Sequence, residues 1–577
     1  MSKAVLSQDA LATAARTITG GSPVSIPSLT VCGRTAFGAI TVDGADVLVQ
    51  VGGEPGAHGL QAPLQSGEAD GAPVHVYAFA STDRDNIRAF AENIDRAFLP
   101  RPQGAQPAIA AGNRHPEISL PAVFQAFREV LRETGVNLAS TVQLSATREM
   151  TLDAMIAARD GSNPTAPGHT RVSILHLYHA GLWAAIRAGF REGYNAEADH
   201  FIVSGASDAE IAKSLEWVKE SIHDAAGYTK FTTDTSRLFD LRADTRHTNP
   251  YSEAEIGEMF LKILGPEQAA WTLRAFEDPF VCGDHSYNFS EPEIKRLAVK
   301  FCPSLLLNED LYDTIVKVKG GAPFDFEPSL DEAETLTTTK ELIFYMHWLK
   351  ERGRPAQLVP PNLGFKKRQA YPDTYEALEK YAWHKMWPEL LPRVKGEFDG
   401  QPLAELRERV RELAAVSTYF DGTLSIHSGS GKQAEVLNHI GAATAGRVNY
   451  KISGELQLQL FDVLSEQPAD SPERQLFDRM VTACEEFAAK GAFGEESELA
   501  AKYRASGHGS YLGNASKGRV DGNLFLVFWL GNMVGCKDTD GVFFKDKLDR
   551  LPVAIHEESR RRNVAYIKWL AANLIGQ

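Results

Sequence analysis

The chain has 577 residues, is 43% hydrophobic and 23% charged, and carries a formal net charge of -15 at pH 7. Its basic residues are outnumbered and dispersed, which argues against a nucleic-acid-binding protein, and it has no run of about 18 apolar residues that would predict a transmembrane helix. Five scattered cysteines without Cys-x-x-Cys spacing, and an N-terminus without a long apolar centre, predict a cytoplasmic protein with reduced thiols.

Residues 1–104 are predicted to form an N-terminal α/β region. The pattern gives a strand, a Gly- and Pro-rich loop, a second strand, a helix and a linker, at residues 47–51, 53–73, 74–79, 85–98 and 100–107. Clusters of Gly and Pro mark loops because they adopt backbone conformations that interrupt regular elements.

Beyond this region, short apolar or β-branched runs alternate with helical patterns. Eight strands are predicted near residues 107–111, 137–144, 197–202, 228–233, 322–326, 356–360, 422–426 and 447–452. Strands that alternate with helices predict a parallel sheet, and eight such units predict an α/β fold of the TIM-like (β/α)8 barrel type.

The predicted barrel extends over residues 105–484. Residues 235–321 separate two strands by far more than a short connection, and we interpret them as a helical insertion over one end of the barrel, with a lid as one interpretation. Its helices are predicted at residues 253–264, 266–276, 291–299 and 311–318. Residues 485–577 are predicted to form a C-terminal helical region that packs on the barrel and ends in a basic helix around residues 557–575.

Three predicted strands stop on reactive side chains. Asp199 and His200 end one run, Glu327 ends the run Phe-Asp-Phe-Glu, and His427 ends a third. Burying carboxylates and imidazoles is costly unless they have partners or a function. If the three strand ends meet at one rim of the barrel, their side chains can hold a divalent metal and still leave one acid and one base free.

Each of these residues also has a structural interpretation. Asp199 and His200 can be a surface carboxylate and an imidazole bonded to the backbone, and His427 can be structural. Ser329 to Glu332 reads as a capping box that opens a helix, so Asp331 and Glu332 are interpreted as helix-start residues rather than ligands. His176 and His179, at i and i+3 in an apolar helix, are assigned to helix packing.

Two basic segments are candidates for binding an anionic group of a substrate. The loop after His427 fails the P-loop pattern, because Ile426 and Gln433 replace the required Gly and Ser/Thr, yet its amides and Lys432 can bind an anion. Residues 362–368 place three cations after a strand, and can equally be a solvated basic loop.

The motifs make this chain similar to the tagaturonate epimerases, also described as tagaturonate/fructuronate epimerases. The resemblance is carried, in the family's order, by residues 192–200, 231–234, 324–335, 426–430 and 442–451. It implies a metal-dependent carbohydrate epimerase that interconverts tagaturonate and fructuronate.

The resemblance also implies residue roles. Asp199 is the proton acceptor, Glu327 the proton donor, and His200 and His427 are ligands of a divalent cation, for which Zn, Mn, Co or Ni are suitable. The family has a further ligand between Glu327 and His427, where residues 362–371 of this chain offer none that can be assigned. The residues predicted to bind substrate are Asp234, Asn362, Lys366, Lys367 and Lys432.

The expected reaction is inversion at a carbinol carbon β to a ketone by a retro-aldol and aldol sequence. Three alternatives stay open: C4 epimerisation of a neutral or phosphorylated ketohexose such as fructose or tagatose, a non-catalytic paralogue that binds sugar acids, and metal-dependent isomerisation by a hydride or proton shift. The expected partner is a small sugar or sugar acid, with no nucleic acid and no membrane, and the oligomeric state is left open.

Overall fold

A computed structural model describes residues 7–113, 115–143, 173–331, 333, 335–366, 370–381, 389–452, 454–489 and 530–575. Within these ranges the chain forms an N-terminal antiparallel sheet, a parallel barrel with an outer layer of helices, and a C-terminal group of helices.

The N-terminal sheet packs one helix against six strands. Helix α1 is Gln8–Thr19, and the strands are β1 Pro23–Ser25, β2 Thr30–Cys32, β3 Thr35–Val42, β4 Ala45–Val51, β5 Gln65–Ala69 and β6 Ala72–Ala78. The order is β1-β3-β4-β6-β5, with β2 also paired to β3, and the neighbouring strands are antiparallel. The two strands predicted here are confirmed as β4 and β6.

The loop predicted over residues 53–73 contains strand β5, which the sequence did not indicate. The strand Gln-Ser-Gly-Glu-Ala is polar and largely exposed at the sheet edge, so it lacks the apolar alternation that marks a half-buried strand. Asp70 and Gly71 both have positive φ and form the tight turn that pairs it with β6.

The helix predicted over residues 85–98 is irregular. It divides into α2 Arg84–Ala89, a π-helical turn Phe90–Ile94 and a 3-10 turn Arg96–Phe98. The linker that follows has no regular structure, and its Gln103 and Gly104 amides donate to the Asp325 carboxylate at 2.9–3.1 Å. The linker therefore joins the N-terminal region to the amino end of a barrel strand.

All eight predicted barrel strands are present in one parallel sheet. They are β7 Ala108–Gly112, β8 Ala139–Gln143, β9 Asn195–Ile202, β10 Lys230–Asp234, β13 Asp325–Ser329, β14 Leu358–Val359, β15 Thr423–Ile426 and β16 Val448–Ile452. The sheet order is β13-β10-β9-β8-β7-β16-β15-β14. Its two ends are joined by the amides of Gln357 and Leu330, which donate to the carbonyls of Phe326 and Pro360 at 3.1 and 3.0 Å. The predicted (β/α)8 barrel is confirmed as a nearly closed barrel.

The remaining elements follow in chain order. They are α3 Pro116–Thr134, α4 Ile174–Ala188, α5 Asp208–Asp224, α6 Glu253–Ala275, β11 Phe280–Cys282, β12 His285–Tyr287, α7 Glu291–Lys319, α8 Thr339–Glu351, α9 Tyr375–Tyr381, α10 Leu390–Glu397, α11 Pro402–Tyr419, α12 Ala434–Thr444, α13 Glu455–Ser465, α14 Pro472–Ala489, α15 Gly531–Met533, α16 Phe544–Asp549 and α17 Val553–Leu574.

Residues 235–321, interpreted as a helical insertion over one end of the barrel, are mostly helical. The segment contains α6, the hairpin β11–β12 and the long helix α7. Helix α7 packs against α5 on one side and α8 on the other, so it occupies a place in the outer layer of the barrel between β10 and β13. A single helix of 29 residues replaces the two shorter ones predicted there, because Pro303 lies within it without ending it.

The last helix begins at Val553, earlier than the pattern indicated, and packs against α3, α12 and α13. One hydrophobic core contains residues of the N-terminal sheet, the barrel and this helix, including Phe37, Phe124 and Ile567.

Among the described helices, none is long and apolar enough to cross a membrane. The boundaries 1–104, 105–484 and 485–577 stay a prediction.

Candidate active site

Strand β9 turns two adjacent side chains toward the barrel interior. Ala198 pairs with Phe231 and Phe201 with Thr233, so Asp199 and His200 together face a single residue of β10. This is a β-bulge, and His200 takes a left-handed φ of 49° in it. On a regular strand the two side chains would point to opposite faces. The bulge therefore lets both reach one site.

Strand β13 follows the alternation that the sequence predicts. The Phe326 ring packs on Tyr312 of α7, with ring centroids 5.1 Å apart, while Asp325 and Glu327 face the interior. Asp325 lies at the amino end of the strand and accepts a hydrogen bond from Asn195 at 2.9 Å. Glu327 lies further along and is fully buried. One strand thus supplies a structural carboxylate and a site carboxylate.

His427 follows the end of β15 and joins this group. Its Nε2 lies 2.6 Å from Glu327 Oε1, and its Nδ1 lies 3.1 Å from Asp331 Oδ1. The rings of His200 and His427 meet edge to face, with centroids 4.9 Å apart. The three predicted strand ends therefore meet at one rim of the barrel.

The interpretation of Asp331 as a helix-start residue is wrong. The following helix, α8, begins at Thr339, and its capping box consists of Thr338 and Glu341. Asp331 instead lies in the loop after β13, where its carboxylate holds the imidazole of His427. A carboxylate in that position fixes the orientation of a histidine ring. Glu332, the other residue of the supposed box, lies outside the described residues.

Two lysines and a third carboxylate complete the interior, and sequence reasoning did not assign them. Lys451 Nζ contacts Asp199 Oδ1 at 2.6 Å, Glu327 Oε1 at 2.7 Å and Glu197 Oε1. Lys230 Nζ lies 2.9 Å from Glu197 Oε2 and 2.7 Å from Glu327 Oε2. Strand alternation could have indicated Glu197, since this residue precedes Asp199 by two positions and its side chain lies on the same face of the strand. Lys230 begins β10 and gave no comparable signal.

The charges of this cluster shift several pKa values. Burial alone would raise the pKa of Glu327, but Lys230 and Lys451 hold it well below its usual range. Burial would lower the pKa of His200, yet the carboxylates of Asp199, Asp234 and Asp331 raise it to about 9. The pKa of Lys451 lies well above its usual range because three carboxylates outweigh its burial.

Of the residues predicted to bind substrate, Asp234 lies closest to this cluster. Its carboxylate is 3.5 Å from His200 Nδ1 and accepts from the amide and hydroxyl of Ser236. Asn362 instead shapes the loop after β14: its side chain donates to the Ala333 carbonyl and accepts from the Gly364 amide.

The predicted anion-binding lysines differ in how they are placed. Lys432 is buried, and its ammonium donates to the carbonyls of Lys366, Ser428 and Ser430 at 2.9–3.4 Å, which ties the loop after β15 to the loop after β14. Burial lowers its pKa to about 7. Lys366 places its ammonium 4.5 Å from the Tyr381 ring centroid. Lys367 lies outside the described residues.

Three groups of side chains within the described residues have the composition of a metal site. Asp199, His200 and His427 form the first, in which one ligand atom from each lies within 4.8 Å of the others. Imidazole with carboxylate suits Zn and similar divalent ions, and the surplus of carboxylates around these histidines favours an added cation. The residues thus fit such an ion.

The other two groups, like the first with Lys451 beside Asp199, contain cations from the protein. In the group of His115, Glu117 and Asp549, the Lys545 ammonium contacts both carboxylates at 3.1 and 2.9 Å. In the group of His285, Glu408 and Glu412, the carboxylates pair with Arg411 and Arg393. Separately, His176 contacts Glu117 at 2.8 Å and His179 contacts the Leu175 carbonyl at 2.7 Å, so this pair serves helix packing as predicted.

The fold and the site define a parallel α/β barrel with a buried acid, base and imidazole cluster at the carboxyl ends of its strands. Catalytic sites of such barrels lie at this end. Comparison with known proteins then shows what this chain is similar to: residues 169–368 match the model of the tagaturonate epimerases, which confirms the resemblance seen in the sequence.

A curated relative is the tagaturonate/fructuronate epimerase of Thermotoga maritima, 26% identical over 285 residues. The match covers 49% of this chain and 49% of the relative, so the chain spans about half the length of this relative. Two crystal structures of the fructuronate-tagaturonate epimerase UxaE from Cohnella laeviribosi share the fold. They have TM-scores of 0.66 and 0.64 at 19% and 18% identity, and each match covers 95% of this chain and 96% of that one.

Proposed function

We propose that this protein is a metal-dependent carbohydrate epimerase that interconverts tagaturonate and fructuronate. The observation that carries the proposal is the meeting of Asp199, Glu327, His200 and His427 in one buried cluster at the rim. The first three of these lie within the residues that match the family model. Epimerisation needs one proton-transferring group on each side of the inverted carbon, and two carboxylates from different strands can supply them.

His200 and His427 are the proposed protein ligands of a divalent cation, with Asp199 beside them. Zn, Mn, Co or Ni suits this donor set. When bound, such an ion would polarise the substrate ketone and stabilise negative charge that develops next to it.

The proposed reaction is a retro-aldol cleavage followed by re-addition. The inverted carbon is β to the ketone, so simple enolisation does not make its C–H acidic. Asp199 takes the hydroxyl proton from that carbon, and the bond to the α-carbon breaks to give an aldehyde and an enediolate. The aldehyde rotates, the same bond forms again on its other face, and Glu327 gives a proton to the new alkoxide.

The electrostatics add a condition to the role of Glu327. Since Lys230 and Lys451 hold its carboxyl ionised, Glu327 first takes up a proton from solvent, and Asp199 returns the proton that it accepted to solvent at the end of the turnover. This requirement fits a reversible reaction in which Asp199 and Glu327 exchange the roles of base and acid between the two directions.

The first experiment incubates the metal-loaded protein with fructuronate and, separately, with fructose, and resolves the products by chromatography beside an EDTA-treated sample. Conversion of fructuronate to tagaturonate that EDTA abolishes is the expected result. Conversion of neither sugar contradicts the proposal.

A second experiment separates two roles for Asp199. We expect Asp199→Asn to lose epimerisation and to keep its metal, as measured by elemental analysis after dialysis. Retained activity would refute Asp199 as the base, and lost metal would show that it acts as a ligand instead.

A C4 epimerase of a neutral ketohexose is the second candidate. Lys432 favours it, because the three N–H groups of its ammonium are engaged by backbone carbonyls and leave no donor for a substrate carboxylate. Conversion of fructose but not of fructuronate in the first experiment would establish this candidate.

A further inference from the structure

The ammonium of Lys451 lies between the two carboxylates that the proposed reaction needs. It is 2.6 Å from Asp199 Oδ1 and 2.7 Å from Glu327 Oε1, and it also contacts Glu197. Asp199 comes from β9, Glu327 from β13 and Lys451 from β16, so one side chain connects three strands of the barrel.

The number of donors decides what this lysine can do. An ammonium has three N–H groups, and here it donates to Asp199 and to the Thr232 hydroxyl, 3.1 Å away, and forms ion pairs with Glu197 and Glu327. Lys451 is 7% exposed, and these contacts leave none of its N–H groups available to a sugar. Lys451 therefore acts on the reaction through the carboxylates and not by touching the substrate.

Lys230 provides an internal comparison. Its ammonium contacts Glu197 and Glu327, as Lys451 does, but the carboxylate of Asp199 is not among its ion pairs. Among the ion pairs of the described residues, those of Asp199 are with Lys451 and, at 3.9 Å, with His200. Loss of Lys451 thus leaves Glu327 and Glu197 held by Lys230, while Asp199 loses its close cationic partner.

We propose that Lys451 is a positioning residue that fixes the separation and orientation of Asp199 and Glu327 across the reacting carbon. The inference rests on the proposed epimerase function and assigns a residue to the same site. A misplacement of one catalytic carboxylate by about 1 Å costs on the order of 100-fold in rate, because the reacting atoms must be closely aligned.

The experiment compares Lys451→Met, which keeps the length of the side chain and removes the charge, with Lys451→Arg and with Lys230→Met. For Lys451→Met we expect kcat for fructuronate to fall about 100-fold while KM changes less than about threefold, since substrate contacts are intact. Lys451→Arg should recover part of kcat because it restores a cation. Circular dichroism melts show whether each variant is folded.

Chemical rescue separates positioning from general support of the fold. Lys451→Ala leaves a space beside Asp199, and added ethylamine or propylamine should raise its kcat at least about tenfold by returning an ammonium there. The same amines should not rescue Lys230→Ala, because Lys230 is only 1% exposed and lies deeper. Wild-type kcat in Lys451→Met, or no rescue of a folded Lys451→Ala, overturns the proposal.

A crystal structure of Lys451→Met tests the same idea without activity. We expect the Asp199 carboxylate to leave its position while Glu327 stays, and an unmoved Asp199 contradicts the proposal. If the wild type converts neither uronate, the proposed function fails and this structure alone decides the role of Lys451. If the wild type is active and Lys451→Met is equally active, only the positioning role fails.

Discussion

Two buried clusters of charge among the described residues differ in the balance of their charges. In the outer layer, between α7, α8 and the loop after β10, Lys300 and Arg246 pair with Asp244 and Glu341 at 2.5–2.7 Å. At the rim, two lysines and two histidines face five carboxylates: Glu197, Asp199, Asp234, Glu327 and Asp331.

The difference in balance separates a structural cluster from a functional one. The outer-layer cluster is neutral, so it does not require an added ion. The rim cluster keeps three negative charges when both imidazoles are neutral, and one when both are protonated. An uncompensated buried charge is unfavourable. The surplus of negative charge at the rim therefore indicates a binding site for a cation.

The largest expected effect is on activity. Glu327→Gln keeps the shape of the side chain and removes its charge and proton transfer, so we expect kcat/KM to fall by about 10³-fold. Glu341→Gln is the matched control from the neutral cluster, and it should lower the melting temperature while leaving kcat/KM within about threefold. Equal losses of activity in both variants would remove the distinction between the clusters.

The next effect is on stability. Lys300→Met removes a buried ammonium that contacts Asp244 and Glu341, and Arg246 remains to pair with both. We expect the free energy of unfolding to fall by about 3 kcal/mol, since a buried ion pair that loses one partner leaves an uncompensated charge. Urea denaturation measures it, and an unchanged midpoint would contradict the prediction.

Metal binding should stabilise the rim and not the other cluster. An ion present at about 100 times its Kd should raise the free energy of unfolding by about 2.7 kcal/mol. Thermal melts with and without EDTA should show this shift in Lys300→Met and lose it in His427→Ala. A shift that survives in His427→Ala would locate the ion elsewhere.

The smallest effect concerns pH. Burial would raise the pKa of Asp244, but Arg246 and Lys300 lower it below its unfolded value. Its contribution to stability is therefore present above the unfolded pKa, about 3.9, and is lost as pH falls toward the folded pKa.

Urea midpoints between pH 6 and pH 3 measure this loss. We expect the free energy of unfolding to fall by about 1.4 kcal/mol for each pH unit below the unfolded pKa, and a flatter profile in Asp244→Asn. An identical slope in the variant would exclude Asp244 as a source of the acid sensitivity.

Much of the barrel could be predicted because its signal is local. Each strand is a short apolar run, and eight runs alternate with helices, so all eight were found. Strand β5 was missed because a polar edge strand has no burial pattern. Helix α7 was predicted as two pieces because Pro303 normally breaks the pattern, whereas here the helix continues through it.

The site could be predicted only in part, because a local pattern indicates some of its residues and misleads for others. Asp199, His200, Glu327 and His427 stand at strand ends, where a polar residue after an apolar run is conspicuous. Asp331 was misread because Ser-Leu-Asp-Glu fits a capping box, while the real box lies at Thr338 and Glu341.

The sequence by itself determined the parallel barrel, the reactive strand ends and the similarity to the tagaturonate epimerases. These depend on periodicity and on short motifs, which are local properties of the chain. Only the tertiary structure decided that Lys230, Lys451 and Glu197 lie among the reactive residues, and that a bulge turns Asp199 and His200 to one face. Register and barrel closure bring together residues that are more than 200 positions apart, and no local pattern carries that information.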